Sequence, residues 1–128
     1  MYMNDTKGLI DVLGIRIVRE EAGVMVMEMP VSKKVLQPYG YLHGGASVVL
    51  AESAASIGAA RRIADDEITF GMEINANHLK TKQDGVITAT ATCRHKGRSS
   101  QIWEIELVDE TGDLVCLSRC TMAVKKKR

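Results

Sequence analysis

Glu52 is the side chain in this sequence that most needs a chemical explanation. It is the only charged residue between Gly44 and Ala60, in a run of small and apolar residues. Burying a carboxylate there, charged and unpaired, would cost several kcal/mol or raise its pKa. Either Glu52 reaches an exposed strip, or it faces a cleft and does chemistry. Its neighbours favour the cleft. Ser56 follows one helical turn later, on the same face, where its hydroxyl can orient the carboxylate. Upstream, Gln37 and His43 are polar groups in the approach to Gly44 and Gly45. The first N–H groups of a helix lack internal partners, and two glycines let a ligand oxygen come close to them. A carboxylate, an amide and a ready-made oxyanion site are parts suited to acyl transfer.

These residues need a helix to carry them. Apolar and small residues on nearly every side predict a buried helix over 45–63, with Arg61 and Arg62 in its last turn. The run is long enough to suggest a membrane span, but Glu52, the small residues and the terminal arginines point to a core helix. Leu9, Ile10, Val12 and Leu13 predict a short helix or turn within 6–13, ended by Gly14. Alternation predicts six strands, over 15–20, 24–29, 70–80, 86–94, 100–109 and 114–124. Met25, Met27 and Met29 alternate as filler of core or interface, or as the lining of an acyl pocket. In the third strand Phe70, Met72, Ile74 and Ala76 share one face, and Glu73, Asn75 and Asn77 share the other. Asparagines are poor strand residues, so theirs is read either as a solvated face or as the edge of a site. Asp65, Asp66 and Glu67 read as a solvated acidic cluster, and 95–98 as a hairpin connection. Six strands around one helix make an antiparallel α+β fold, in one domain over 1–128.

Residues 37–60, with Gln37, the His43-Gly44-Gly45 start, Glu52 and Ser56, resemble the hotdog-fold acyl-CoA thioesterases. The similarity is to the branch with the 1,4-dihydroxy-2-naphthoyl-CoA and Arthrobacter-type 4-hydroxybenzoyl-CoA hydrolases. Residues 71–78 (GMEINANH) and 95–99 (HKGRS) carry it on, over nearly the whole chain. The resemblance implies a hotdog fold, with a sheet wrapped around a long helix. It also implies homodimers or homotetramers whose sites are shared between subunits, and thioester hydrolysis with Glu52 as the essential carboxylate. Glu52 would attack the carbonyl or activate water, and Ser56 would hold Glu52 or the water. The Gly44 N–H and Gln37 would polarise the carbonyl. His43 would orient the loop or assist the leaving thiolate. Position 56 is Ser where the Arthrobacter-type enzyme has Thr, so the hydroxyl is kept. His95, Lys96, Gly97, Arg98 and Ser99 would meet the CoA nucleotide, a use that their charges and hydroxyls suit. Met72, Asn75 and Asn77 would edge the substrate pocket. No cofactor is implied, since CoA is part of the substrate. The menaquinone pathway is one setting for such an enzyme.

Two other readings are weighed against hydrolysis. A hotdog hydratase or dehydratase would want a histidine close to a carboxylate, and His43 and Glu52 are too far apart along one helix. A non-catalytic acyl-CoA-binding module would keep the nucleotide turn but has no need of Glu52.

Composition bounds the rest. A net charge of +1 gives no reason to expect nucleic acid or another polyanion as partner. The basic end, 125–128, reads as a solvated tail. Residues 1–10 carry Asn4, Asp5 and Lys7 without a long apolar stretch, so neither a signal peptide nor a membrane anchor is expected, and the cytoplasm is the default. Cys93, Cys116 and Cys120 read as reduced thiols in strands, and no spacing suggests a metal site. His78 and His95 read as isolated structural histidines.

Overall fold

The computed structural model describes residues 8–128; residues 1–7, including the first two of the predicted N-terminal helix, lie outside the described part. A short helix α1 (Leu9–Val12) is followed by β1 (Arg16–Glu21), β2 (Val24–Pro30) and a 3-10 turn, Lys33–Val35. The long helix α2 (Gly44–Ala60) comes next, then β3 (Glu67–His78), β4 (Val86–Lys96), β5 (Ser100–Val108) and β6 (Leu114–Lys126). The six strands form one sheet in the order β1-β2-β4-β5-β6-β3, with every neighbouring pair antiparallel. The sheet curls around α2, which packs against β2, β3, β4, β5 and β6.

The helix is buried because its residues are small. Ala51, Ala54, Ala55 and Ala59 let the strands approach closely, and Leu50 fills the space between them. At Gly58 a Cβ would stand 2.7 Å from the Trp103 ring, so the absence of a side chain there admits the indole. The indole N–H donates to Gln101 Oε1 at 2.9 Å, and Gln101 Nε2 reaches the Ala59 carbonyl at 3.5 Å. This buried pair ties the C-terminal end of α2 to β5. Met25, Met27 and Met29 point into the core from β2.

Several predicted boundaries move, for identifiable reasons. The helix stops at Ala60, and Arg61 is its C-cap rather than part of the last turn. Arg61 turns out to pair with Glu20 of β1 at 2.8 Å. The predicted acidic cluster and basic tail are largely exposed, and they meet at the strand ends. Glu67 opens β3 opposite Lys126, the Asp66 carboxylate accepts from Lys126 Nζ at 2.9 Å, and the Lys127 N–H donates to the Asp66 carbonyl. Opposite charges at the two strand ends extend the pairing. His95 and Lys96 belong to β4 rather than to the turn.

The largest correction lies in β3. Its register against β6 slips between Gly71 and Glu73, so Met72 is a bulge. Ile74, Ala76 and His78 lie opposite Cys120, Ser118 and Cys116, which face the helix. Beyond the bulge, Gly71 and Thr69 take the inner face, and Phe70 turns outward. Phe70 therefore does not share a face with Ile74 and Ala76.

Candidate active site

The start of α2 is built so that one backbone N–H is left over. His43 is the N-cap, in an extended conformation, and its Nδ1 accepts the Gly45 N–H at 2.8 Å. The His43 carbonyl accepts from Ala46 at 3.0 Å and Ser47 at 3.3 Å. In this turn the Gly44 N–H alone has no partner among the described residues. It stands at the positive end of the helix dipole. His43 Nδ1 is thus spent on the cap.

Gln37 lies in the loop just before. Its Oε1 accepts the N–H groups of Tyr39 at 2.6 Å and Tyr41 at 3.3 Å. Because both partners are donors, the oxygen end of the amide must face them, and the NH₂ end remains to donate elsewhere. The loop itself is held from outside. The His43 N–H donates to the Val35 carbonyl at 2.8 Å, and the Leu42 N–H to the Lys82 carbonyl at 2.7 Å.

Glu52 and Ser56 lie on one side of α2, toward the β3–β6 edge. The Glu52 carboxylate rests on the backbone of Gly71, where any Cβ would collide with it. The inner face of β6 completes this wall. Ser56 Oγ contacts Met122 Sδ at 3.9 Å, and Cys120 Sγ lies 3.6 Å from the same sulfur. Burial, with the nearby charges of Glu52 and Glu73, pushes the Cys120 thiol up to about 12, so it stays protonated. Beside Ser56 a cleft of about 570 Å³ opens between the second half of α2 and the start of β3, lined among others by Ile57, Ala60, Ile68 and Phe70.

Two residues of this site escape a reading of single residues. His78, at the end of β3, lies against the helix start: a Cβ at Gly44 would stand 2.8 Å from its Nε2. Only the pairing of β3 with β6 shows that His78 faces inward. Gly71 is the seat of Glu52, and the available signal was a glycine inside a strand, which often marks a bulge or a close approach.

The remaining predicted residues lie apart. His95 and Lys96 end β4, and Gly97, Arg98 and Ser99 lead into β5 beside the C-terminal end of α2. The Gly97 N–H donates to the Ser100 carbonyl, and the Ser99 carbonyl accepts from Val124. A second cleft, lined by Glu20, Glu21, Ala22, Arg61, Arg62 and Lys96, adjoins this region. Asn75 and Asn77 sit opposite Arg119 and Leu117 on the face turned away from the helix, and Asn75 Nδ2 donates to Glu73 Oε2 at 3.2 Å. Met72 is exposed in the bulge, so these three do not join Glu52 within one subunit. Among the described residues no cluster of three His, Cys, Asp or Glu side chains could hold a metal ion, and no helix is long and apolar enough to cross a membrane.

Comparison with known proteins places this geometry. The thioesterase superfamily profile matches residues 39–116. The 1,4-dihydroxy-2-naphthoyl-CoA hydrolase of Listeria monocytogenes is 62% identical over 121 residues, covering 94% of this chain and 98% of its own. A crystal structure of a Staphylococcus aureus protein superposes with a TM-score of 0.91 at 42% identity, over 93% of this chain and 99% of that one. A second structure of that protein, there called a thioesterase, gives 0.90 at 42% identity over 91% and 98%. The two are alanine variants, one of a glutamate and one of a glutamine fifteen residues before it. The chain belongs to the thioesterase superfamily, with the hotdog fold of that family.

Proposed function

We propose that this enzyme hydrolyses an aromatic acyl-CoA thioester, 1,4-dihydroxy-2-naphthoyl-CoA in the first place, to the free acid and CoA. The choice of acyl group is supported by the similarity to the Listeria hydrolase; menaquinone synthesis in the cytoplasm is the setting we assign to the reaction. One observation carries the mechanism: at its start α2 presents the Gly44 N–H, unpartnered among the described residues, and along its length a single carboxylate, Glu52.

The Gly44 N–H, aided by the helix dipole and the free NH₂ of Gln37, stabilises the oxyanion that forms on the thioester carbonyl. Glu52 either attacks the carbonyl carbon or takes a proton from a water that does. The tetrahedral species collapses and the C–S bond breaks. On the water route the acid is released at once and the thiolate takes the proton that Glu52 removed. On the direct route the acyl group stays on Glu52 as an anhydride until water hydrolyses it and supplies that proton. Ser56 holds Glu52 or its water. The cleft beside Ser56 takes the aromatic acyl group, and Lys96 at the end of β4 with Arg98 in the turn meets the phosphates of CoA. The reaction needs no cofactor, because CoA arrives with the substrate. The spacing of Gln37 and Glu52 equals that of the two residues altered in the staphylococcal variants, which supports their pairing in one mechanism.

Eight residues separate Gly44 from Glu52, about 12 Å along one helix. The reacting atoms must lie roughly 3 Å apart. The complete site therefore forms between two subunits with antiparallel central helices, Glu52 of one beside Gly44 and Gln37 of the other. The exposed edge of β3, with Phe70 and Met72, supports such pairing.

The test is thiol release from a panel of aryl- and alkyl-CoA esters. Turnover favouring aryl esters, lowered at least about 10²-fold by Glu52→Gln, is the expected result. Binding without turnover would replace hydrolysis by a non-catalytic acyl-CoA-binding role.

A further inference from the structure

Away from the substrate-facing residues, charged side chains gather at the turn between β5 and β6. The Asp109 side chain is fully buried (0% exposed), and its two oxygens do different jobs. Oδ1 builds the turn, accepting from the Thr111 N–H at 3.0 Å, Thr111 Oγ1 at 2.7 Å and the Asp113 N–H at 3.0 Å. An asparagine oxygen could do the same. Oδ2 reaches out of the turn, to Lys80 Nζ at 2.5 Å and toward Lys82 Nζ at 3.7 Å. Glu110 works alongside: Oε1 accepts from Lys82 Nζ at 2.5 Å, and Oε2 from the Val86 N–H at 2.9 Å. The hairpin thus grips the connection between β3 and β4 by two lysines and one backbone amide.

That connection touches the site at both ends of its grip. Two residues before Lys80 is His78, which lies against Gly44, and the N–H groups of Leu79 and Lys80 are anchored on the Val115 carbonyl. At Lys82 the carbonyl accepts the Leu42 N–H, one residue before the cap His43 and two before Gly44. Nothing in the turn itself calls for the charge on Oδ2. The contacts it makes lead to the start of α2.

We propose that Asp109 and Glu110, acting through Lys80 and Lys82, are positioning residues for the carbonyl-polarising half of the site. They set where the Gly44 N–H and the His78 imidazole stand. The proposal rests on the reading of Gly44 as the group that polarises the thioester, and its test is chosen to separate the two.

The full chain is made as Asp109→Asn, which keeps the turn acceptor and removes the charge, and as Lys82→Met, which keeps the backbone carbonyl and removes the grip. Asp66→Asn, at the exposed pair with Lys126, is the control. Each is assayed for kcat and KM on an aryl-CoA ester, and for amide exchange by mass spectrometry. In both clasp variants kcat falls about 10- to 100-fold, the scale of an ångström's misplacement, with KM within about threefold. Exchange in the peptide covering 36–46 speeds up about tenfold while β5 stays protected, as expected for local opening. Lys82→Arg restores both. If exchange in 36–46 is unchanged in Lys82→Met, or if it rises without loss of kcat, the proposal is overturned. Should Asp109→Asn fail to fold, Lys82→Met decides. If the wild type turns over no thioester, hydrolysis is wrong, and the exchange result still judges the clasp.

Discussion

Gly71→Ala is the smallest change that tests where the Glu52 carboxylate must stand. The glycine is in β3 beneath α2, and a methyl there would overlap the carboxylate. Phe70 and Gly71 pair with Ala123 and Met122 of β6, and pairing resumes at Glu73 after the Met72 bulge, which limits how far the strand can move. Glu52 is half-buried and its carboxylate makes no hydrogen bond or ion pair among the described residues, so the side chain yields first. Rotation about its own bonds shifts the carboxylate by about 1 Å or more, and a shift of that size can cost about 10²-fold in rate. The fold should tolerate the change. Yielding at the end of a flexible side chain costs little, and replacing glycine by alanine gains about 0.4–1 kcal/mol from the unfolded chain where the backbone is compatible. The expected outcome is a kcat near 1% of wild type, about the same KM, and a melting temperature equal or slightly higher. Thiol release and a thermal melt followed by circular dichroism give the three numbers. A kcat within about threefold of wild type, with the fold intact, would show that catalysis does not depend on the seat of Glu52 at Gly71.

Gln37→Ala should lower kcat more than it raises KM, because carbonyl polarisation matters most in the transition state; a change in KM alone makes Gln37 a binding residue. Arg98→Ala should weaken CoA esters and spare short pantetheine thioesters, and equal loss on both would make it structural. Lys80, then Thr111, hold the Asp109 carboxyl well below the usual carboxylate range. A depressed folded pKa gives stability that is complete above the unfolded value of about 4 and is lost as pH falls through the folded value. Acid melts of Asp109→Asn should therefore fall short of wild type at pH 7 and close on it progressively as the pH falls below about 4; a constant difference at all pH would refute the linkage. Mixing inactive Gln37→Ala and Glu52→Gln through reversible unfolding should restore about a quarter of wild-type activity if two subunits share each site. No recovery would mean that each chain builds its own.

The elements were legible where one residue's neighbours decide its state. The alternation in β4, with Ile87, Ala89 and Ala91 inside, needs no partner to be recognised. The crowd of alanines and glycines around Glu52 marks a buried helix in the same way. What failed was set by pairing. The ends of β3 and β6 lengthen because Asp66 and Glu67 meet Lys126, sixty residues away in sequence. The bulge at Met72 reverses the inner face of β3, and strict alternation cannot see a reversal. Gly71 was the local hint, but a glycine in a strand does not say which neighbour comes close.

The candidate site divides along the same line. Gln37, His43, Gly44, Glu52 and Ser56 lie within twenty residues of one another, and a helix with its entry loop places them almost by itself. The chemistry proposed for them rests on type and spacing. His78, Gly71 and Lys82 join them through the sheet, and each matters by what its backbone or ring touches rather than by what it is. His78 read alone is an isolated histidine; set opposite Cys116 and beside Gly44, it is part of the helix start. The same geometry is the basis for proposing that a single chain carries two half-sites. A straight helix keeps Gly44 and Glu52 two turns apart, so the carbonyl-polarising end and the carboxylate cannot meet on one substrate atom. The sheet then has separate tasks at the two places, a clasp of lysines and carboxylates around the helix start and a bare glycine under Glu52. Each place has its own support within the chain, as the proposed site completed by a second copy would require.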